Sequence, residues 1–213
     1  MIKPYYETPL GKLYHGDCLE IMPQLEPVDL VLTDPPYGVG IEYGEKYKDS
    51  YESWVALTSS WLPIGLKINR KGLILTPGGL EQERFLWIHH PPKWRICWYK
   101  GAQAQRSPIG FKHWENIFVY GETKSQCPDY FLANPPPANN GHPCPKPTKF
   151  YKWLLKEFSL DGEIILDPFL GSGTMAVTCE NFKRRWIGIE IEEKYCEIAA
   201  KRIELERKQL KLF

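Results

Sequence analysis

Short apolar runs rich in β-branched residues alternate along this chain with amphipathic stretches, and this alternation restricts the fold more than any other feature. The runs predict seven strands, at residues 12–16, 28–33, 72–77, 94–100, 116–121, 163–168 and 185–191. The amphipathic stretches predict five helices, at residues 50–68, 81–90, 148–159, 174–183 and 193–209. Such alternation is typical of an α/β fold, in which a mostly parallel, twisted sheet of about seven strands carries helices on both faces.

The chain is long enough for one domain with a substantial core. At 213 residues a single domain over residues 1–213 is the expectation. Two segments, 101–115 and 122–147, interrupt the alternation with many Pro, Gly, Asn and basic residues, and we expect loops there. Loops of this length inside a compact domain are usually functional or mobile.

The sequence shows no sign of export, membrane insertion or metal binding. The N-terminal segment MIKPYYETPLGKLYHGD lacks the apolar core of a secretory signal, and no run approaches the roughly 20 apolar residues that cross a bilayer. The spacing of Cys127, His142 and Cys144 matches no common zinc finger. We therefore expect a cytoplasmic protein without metal and without membrane contact. Its thiols should be reduced, because no CxxC pair occurs among the cysteines at 18, 97, 127, 144, 179 and 196.

The net charge of +1 hides an uneven distribution. Between Lys93 and Lys152, nine Lys and Arg residues stand against three acids, so this region carries +6 and the remainder of the chain −5. A basic region of this kind suits contact with phosphates. A solvated basic surface explains the charge equally well, so charge alone does not identify a partner.

A glycine-rich motif, ILDPFLGSGTMA at residues 165–176, predicts a nucleoside-cofactor site. Gly171, Gly173 and Ala176 form a G-x-G-x-x-A pattern between a predicted strand and a predicted helix, and Glu190 ends the next strand. Glycines let a ligand approach the backbone, and a carboxylate at that strand end can accept hydrogen bonds from ribose hydroxyls. A P-loop lacks support because no Lys-Ser/Thr pair follows; a tight packing turn and an NAD site are the alternatives.

Five motifs give the chain a family resemblance. In order they are GDCLEIM (16–22), LTDPPYG (32–38), GHPCPKPTKFYKWLL (141–155), LDPFLGSGT (166–174) and IGIEIEEKYCEIA (187–199). Together they resemble the S-adenosylmethionine-dependent DNA amino-methyltransferases, in the circularly permuted order of the beta class. The resemblance implies a Rossmann-like methyltransferase fold with a short target-recognition insertion at about 101–140.

The resemblance also implies which residues hold S-adenosylmethionine. Glu190 is expected at the ribose hydroxyls and Asp17 at the adenine ring, while His142 and Lys146 match an HPxxKP pattern associated with the methionine end of the cofactor. For His142 a purely structural role explains the pattern as well, because the neighbouring prolines also make a rigid loop. The full predicted cofactor set is Asp17, Cys18, His142, Lys146, Asp167, Phe169, Gly171, Gly173, Thr174 and Glu190.

The motif at residues 34–37 is predicted to be catalytic. An exocyclic amine is a poor nucleophile because its lone pair is delocalised into the ring, and an acceptor for its N–H groups draws the nitrogen toward tetrahedral geometry. Asp34 supplies one acceptor and the Pro35 carbonyl supplies a second. Because each proline ring fixes φ, Pro35 and Pro36 hold that carbonyl in place. Tyr37 offers a surface on which an extruded base stacks. Such chemistry needs positioning and no metal.

The type of base and the DNA contacts follow less directly. Asp at the first motif position is associated in the family with adenine N6, whereas cytosine N4 enzymes more often have Ser, so adenine is favoured and cytosine is the first alternative. A methyltransferase-like module without turnover is the second. Double-stranded DNA is the expected partner; a homodimer and a cognate restriction nuclease are left open. Candidate DNA contacts within 101–115 and 122–140 are Arg106, Lys112 and Lys124.

Overall fold

The structure is a computed structural model that describes residues 2–41, 47–101, 105–107, 109–121, 126–135 and 146–210. Its strands are β1 (Tyr6–Glu7), β2 (Gly11–His15), β3 (Val28–Thr33), β4 (Asn69–Leu75), β5 (Trp94–Tyr99), β6 (Gln105–Ser107), β7 (Gly110–Lys112), β8 (Trp114–Gly121), β9 (Tyr130–Leu132), β10 (Ile164–Asp167) and β11 (Arg185–Glu190). Its α-helices are α1 (Cys18–Ile21), α2 (Tyr51–Ile68), α3 (Leu80–His89), α4 (Thr148–Phe158), α5 (Thr174–Asn181) and α6 (Glu193–Leu210).

One mixed sheet organises the molecule, with the strand order β1-β2-β11-β10-β3-β4-β8-β5-β9. The five strands β2, β11, β10, β3 and β4 are parallel neighbours. Strand β8 runs antiparallel to both β4 and β5, so β5 points the same way as β4. The carboxyl ends of the parallel strands therefore share one edge of the sheet, where side chains that follow different strands can meet.

Side chains of alternate strand residues face opposite helical layers, as the pleat requires. Leu30 and Leu32 of β3 belong to the buried cluster that includes α4, α5 and α6, while Val31 belongs to the cluster that includes α1, α2 and α3. Helix α2 contributes Trp54 and Trp61, which are almost fully buried. The predicted α/β layering, with helices on both faces, is thus confirmed. No helix among the described residues has the length and apolar character needed to cross a membrane.

The seven predicted strands and five predicted helices are all present, with ends shifted by at most three residues. The prediction of loops at 101–115 and 122–147 is wrong in part for the residues that the structure describes; residues 102–104, 108, 122–125 and 136–145 lie outside them. Strands β6 and β7 form a separate hairpin within the first segment, and β9 lies in the second. Strand β9 (Tyr130–Leu132) forms by parallel pairing with β5. Such pairing joins residues distant in sequence and leaves little local signal.

Candidate active site

A cleft opens at the shared carboxyl edge, where β2, β3, β10 and β11 end. Its volume is about 210 Å³. Further residues, among them Leu57, Glu192 and Tyr195, line it without having been singled out from the sequence. The predicted site residues that line it are Asp17, Cys18, Asp34, Pro35, Pro36, Tyr37, Phe169, Gly171 and Glu190.

Glu190 fixes one end of this cleft by binding two backbone amides. Its Oε2 accepts a hydrogen bond from the Gly171 N–H at 2.8 Å, and its Oε1 accepts one from the Glu192 N–H at 2.9 Å. Burial raises the pKa of Glu190, while the two amide hydrogen bonds lower it. Each carboxylate oxygen has a second lone pair, so the side chain still has capacity to accept hydrogen bonds from a ligand in the cleft.

Asp17 and Cys18 lie beside Glu190, on the neighbouring strand end. The Asp17 carboxylate caps α1 by accepting from the Leu19 N–H at 2.8 Å. The Gly16 N–H donates to the Glu190 carbonyl at 2.9 Å and ties the two strand ends together. Burial raises the pKa of the Cys18 thiol to about 12, so this group stays protonated at neutral pH.

The later part of the glycine motif faces α6 and not the cleft. Gly173 has a φ of +84°, and a Cβ at this position would lie 2.8 Å from Ala199 Cβ. The Arg202 guanidinium, which was not singled out from the sequence, hydrogen-bonds Ser172 Oγ at 2.8 Å and Thr174 Oγ1 at 3.3 Å. Gly173 and Thr174 therefore shape the loop, and Gly171 presents it to the cleft.

Asp167 connects the glycine motif to the strand that carries Asp34. Its Oδ1 accepts from the Thr33 hydroxyl at 2.7 Å and from the Phe169 N–H at 3.0 Å. Burial raises the pKa of Asp167 to about 7, against these two hydrogen bonds, which lower it. The structure thus places Asp167 beneath the cleft, where it joins the ends of β3 and β10, while the Phe169 ring packs edge-on against Trp61 at 5.3 Å.

Asp34 is held on one oxygen only. The hydroxyls of Tyr37 and Thr76 donate to Oδ1, and the Lys146 ammonium lies 2.9 Å from the same atom. Lys146 also donates to the Tyr37 hydroxyl at 2.8 Å. No hydrogen bond from the described part of the chain reaches Oδ2. Tyr37, Thr76 and Lys146 therefore orient the carboxylate through Oδ1, and Oδ2 can accept a hydrogen bond from a ligand.

Lys146 belongs to a row of alternating charges. Its Nζ lies 4.0 Å from Glu115 Oε2, and the other oxygen of Glu115 pairs with Lys100. Burial disfavours the charge on Lys146, but Asp34 and Glu115 together outweigh burial and raise its pKa above the usual value. The family resemblance implied a position for Lys146 at the methionine end of the cofactor; in the structure its ammonium lies 2.9 Å from Asp34 Oδ1.

Asp49 orders the backbone that follows the catalytic motif. Its buried carboxylate accepts from the N–H groups of Gly38 at 2.6 Å, Val39 at 2.9 Å and Ile41 at 3.0 Å. On the other side, Gln82 Nε2 donates to the Tyr37 carbonyl at 2.6 Å. Neither residue carried a sequence signal beyond being polar, because both act through backbone groups distant in sequence.

Of the predicted DNA contacts, the structure describes the Lys112 side chain. Lys112 Nζ lies 3.5 Å from the Gly78 carbonyl oxygen. Gly78 in turn lies against the Tyr37 ring, because a Cβ at Gly78 would be 2.8 Å from Tyr37 Cδ1. The β6–β7 hairpin is therefore anchored beside the cleft. Lys124, His142 and the side chain of Arg106 lie outside the described residues.

The whole chain aligns with known methyltransferases. The type II methyltransferase M.BamHI of Bacillus amyloliquefaciens is 27% identical over 99% of this chain, which spans only 61% of that protein's length. The type II methyltransferase M.ScaI of Streptomyces caespitosus is 28% identical over 98% of this chain and 86% of its own.

Solved structures share the fold. PvuII DNA methyltransferase, described as cytosine-N4-specific, superposes with a TM-score of 0.77 at 18% identity and covers 94% of this chain and 89% of its own. The complex of M1.HpyAVI with S-adenosylmethionine gives 0.67 at 22% identity and covers 91% and 99%. The predicted Rossmann-like methyltransferase fold is confirmed.

A family model described as DNA methylase matches residues 81–201, more than half of the chain. The matched segment contains the glycine motif, Glu190 and Lys146. Gly171 and Glu190 line the cleft together with Asp34 of the preceding segment, and Lys146 contacts Asp34. The chain belongs to the DNA methylase family of N6 and N4 methyltransferases.

Proposed function

We propose that this protein transfers a methyl group from S-adenosylmethionine to the exocyclic N6 amine of adenine in double-stranded DNA. The observation that carries the proposal is the cleft that Asp34 and Glu190 share, with Asp34 Oδ2 left without a donor from the described residues. One end suits the sugar of a nucleoside cofactor, and the other suits an amine that must be held by its N–H groups. A homodimer and a cognate nuclease stay predictions from the family resemblance.

The residues present fit the cofactor. Glu190 has free lone pairs for ribose hydroxyls, Asp17 stands on the adjacent strand end for the adenine amine, and Phe169 and Gly171 line the space between. When bound, S-adenosylmethionine supplies an electrophilic methyl group. The tasks of the chain are then to hold the two reactants and to orient the target nitrogen.

Asp34 orients the target amine. Its Oδ2 accepts one N–H of the amine and the Pro35 carbonyl accepts the second, so the nitrogen moves toward tetrahedral geometry and its lone pair becomes available. Tyr37, Thr76 and Lys146 keep Oδ1 in place, so the carboxylate need not reorganise during the reaction. As the lone pair of the nitrogen forms the new N–C bond, the methyl–sulfur bond would break and leave its electron pair on the sulfur as a neutral thioether. The positively charged nitrogen would then release one N–H proton toward Asp34 Oδ2.

Base extrusion and target recognition complete the proposal. The target base leaves the duplex at a cost of a few kcal/mol and stacks against Tyr37, which supplies about 1–3 kcal/mol per base. Target recognition belongs to the insertion at about 101–140, with Lys112 beside the cleft and Arg106 and Lys124 as further phosphate or base contacts.

Cytosine N4 is the second candidate target, favoured by the fold similarity to a cytosine-N4-specific enzyme. Incubation of unmethylated genomic DNA with the protein and labelled S-adenosylmethionine, followed by nucleoside mass spectrometry, distinguishes the two. We expect N6-methyladenine. N4-methylcytosine would overturn the choice of base, and cofactor binding without any incorporation would identify a module that does not turn over.

Glu190→Gln should weaken cofactor binding. The amide keeps one acceptor oxygen, but its NH₂ group then faces either the Gly171 or the Glu192 N–H, and the charge that strengthens hydrogen bonds from ribose hydroxyls is lost. Hydrogen bonds to a charged group contribute about 1.5–3 kcal/mol, so the Kd should rise about 10- to 100-fold. Isothermal titration calorimetry measures this change. The matched control is Glu193→Gln, an equal loss of charge at an exposed position nearby; an unchanged Kd for Glu190→Gln would contradict the assignment.

A further inference from the structure

The β6–β7 hairpin carries exposed apolar side chains at its tip. It pairs only with itself among the described residues, with Arg106 opposite Phe111 and Ser107 opposite Gly110. Ile109, in the turn, is 100% exposed, and Phe111 is 68% exposed. Single exposed apolar residues are ordinary on protein surfaces. Two of them at the end of a projecting hairpin form a small apolar tip without a partner in the described fold.

The hairpin base is fixed next to the catalytic motif. The Lys100 N–H donates to the His113 carbonyl at 2.7 Å, and His113 Nδ1 lies 3.0 Å from the Gly101 carbonyl oxygen. Lys112 reaches the Gly78 carbonyl oxygen, which belongs to the residue that packs against the Tyr37 ring. The apolar tip therefore belongs to a hairpin whose base contacts the residue packed against Tyr37, adjacent to the proposed position of the extruded base.

We propose that Ile109 and Phe111 act as a wedge that enters the DNA at the step vacated by the target base. This inference rests on the proposed function. Extrusion leaves a gap in the stack and exposes the faces of the neighbouring bases. Apolar side chains inserted at a base step fill such a gap, and their own burial offsets part of the stacking that is lost. Lys112 at the end of β7 adds a cation for a nearby phosphate.

The wedge predicts a loss of activity that depends on how firmly the target base is paired. For Ile109→Ala combined with Phe111→Ala, we expect kcat/KM on a fully paired duplex to fall about 30-fold, since the gap then stays unfilled. On the same duplex with an abasic site opposite the target, extrusion is already easy, and the loss should shrink to about 3-fold or less. Both side chains are exposed, so the fold is not affected. Leu160→Ala, at an exposed apolar residue before β10 on the opposite edge of the sheet, is the control.

Fluorescence separates this inference from the proposed function. Duplexes with 2-aminopurine at the target position report extrusion without methyl transfer, and we expect a rise with the parent protein that the double variant loses. A rise without transfer to any DNA would reject the proposed function and leave the wedge standing. An equal loss of activity on both duplexes, or no loss on the paired one, would overturn the wedge. A change in molecular mass in solution with such an equal loss would assign the tip to contact between copies of the chain.

Discussion

Replacement of Asp34 by alanine is expected to abolish methyl transfer while cofactor binding stays intact. The variant removes the one side-chain acceptor placed to hold the target amine, and positioned groups of this kind contribute about 10²–10⁴-fold to a rate. We therefore expect single-turnover transfer to fall by at least about 10³-fold. Glu190, Gly171 and Asp17 lie on other strand ends, so the Kd of the cofactor should change less than about 3-fold. Radiolabelled transfer and calorimetry on the same preparation measure the two quantities.

Asp34→Asn is the informative companion. The amide has only one acceptor oxygen, for which the donors at Oδ1 compete with the target amine, and it has no charge for Lys146, which lies 2.9 Å from Oδ1. We expect its activity to fall between those of the alanine variant and the parent. Activity of Asp34→Ala within tenfold of the parent would contradict the mechanism. Equal and complete loss in both variants would show that a single neutral acceptor is not enough and that the charged carboxylate with two acceptor oxygens is needed.

The parts of the site that could be predicted from the sequence are those encoded locally. The run VDLVLT predicts β3 from residue 28 to residue 33, and Asp34 then has to follow at the sheet edge. The pattern around Gly171 and Gly173 sits between a strand and a helix, which is the context that gives it meaning. In both cases strand, turn and functional residue lie within a few positions of each other, so short-range physics decides the geometry.

The contacts between remote segments could not be predicted in this way. Lys146 follows Asp34 by more than a hundred residues, and only the folded sheet brings its ammonium to that carboxylate. Asp49 binds backbone amides eight to eleven residues before it, and Arg202 of α6 reaches the glycine loop. Each would be an ordinary charged residue in the sequence. Their roles arise from long-range packing, for which composition and periodicity carry no signal.

Two roles of the Lys146 ammonium, binding the cofactor or holding Asp34, predict different effects of the same substitution. If its ammonium holds a carboxylate of the cofactor, as the HPxxKP resemblance implies, Lys146→Met should raise the Kd of the cofactor. If it acts on Asp34, as its 2.9 Å distance to Oδ1 and its hydrogen bond to Tyr37 favour, the same variant should lower kcat about 100-fold and change that Kd by less than about 3-fold. A general-acid-base or positioning contribution of this size is typical of catalytic sites. We expect the second result.

Stability provides an independent measurement on the same variant. Lys146→Met leaves Asp34 and Glu115 near each other without the cation between them, and loss of one partner from a buried ion pair costs about 3–5 kcal/mol. The free energy of unfolding, from urea titration, should fall by about 3 kcal/mol. Adding Asp34→Asn should restore part of it, because Asp34 is the carboxylate left without a cation, whereas Glu115 still pairs with Lys100.

Lys100→Met is the matched control, since it makes the same substitution one position further along the row of charges. Lys100 pairs with Glu115 and makes no hydrogen bond or ion pair with Asp34 or Tyr37 within the described residues. We therefore expect kcat to fall less than about 5-fold, even where the free energy of unfolding falls as much as in Lys146→Met. If Lys100→Met and Lys146→Met lowered kcat equally, the loss would follow from destabilisation of the row as a whole. A large loss confined to Lys146→Met, with the cofactor Kd unchanged, would assign the ammonium to holding Asp34 in position.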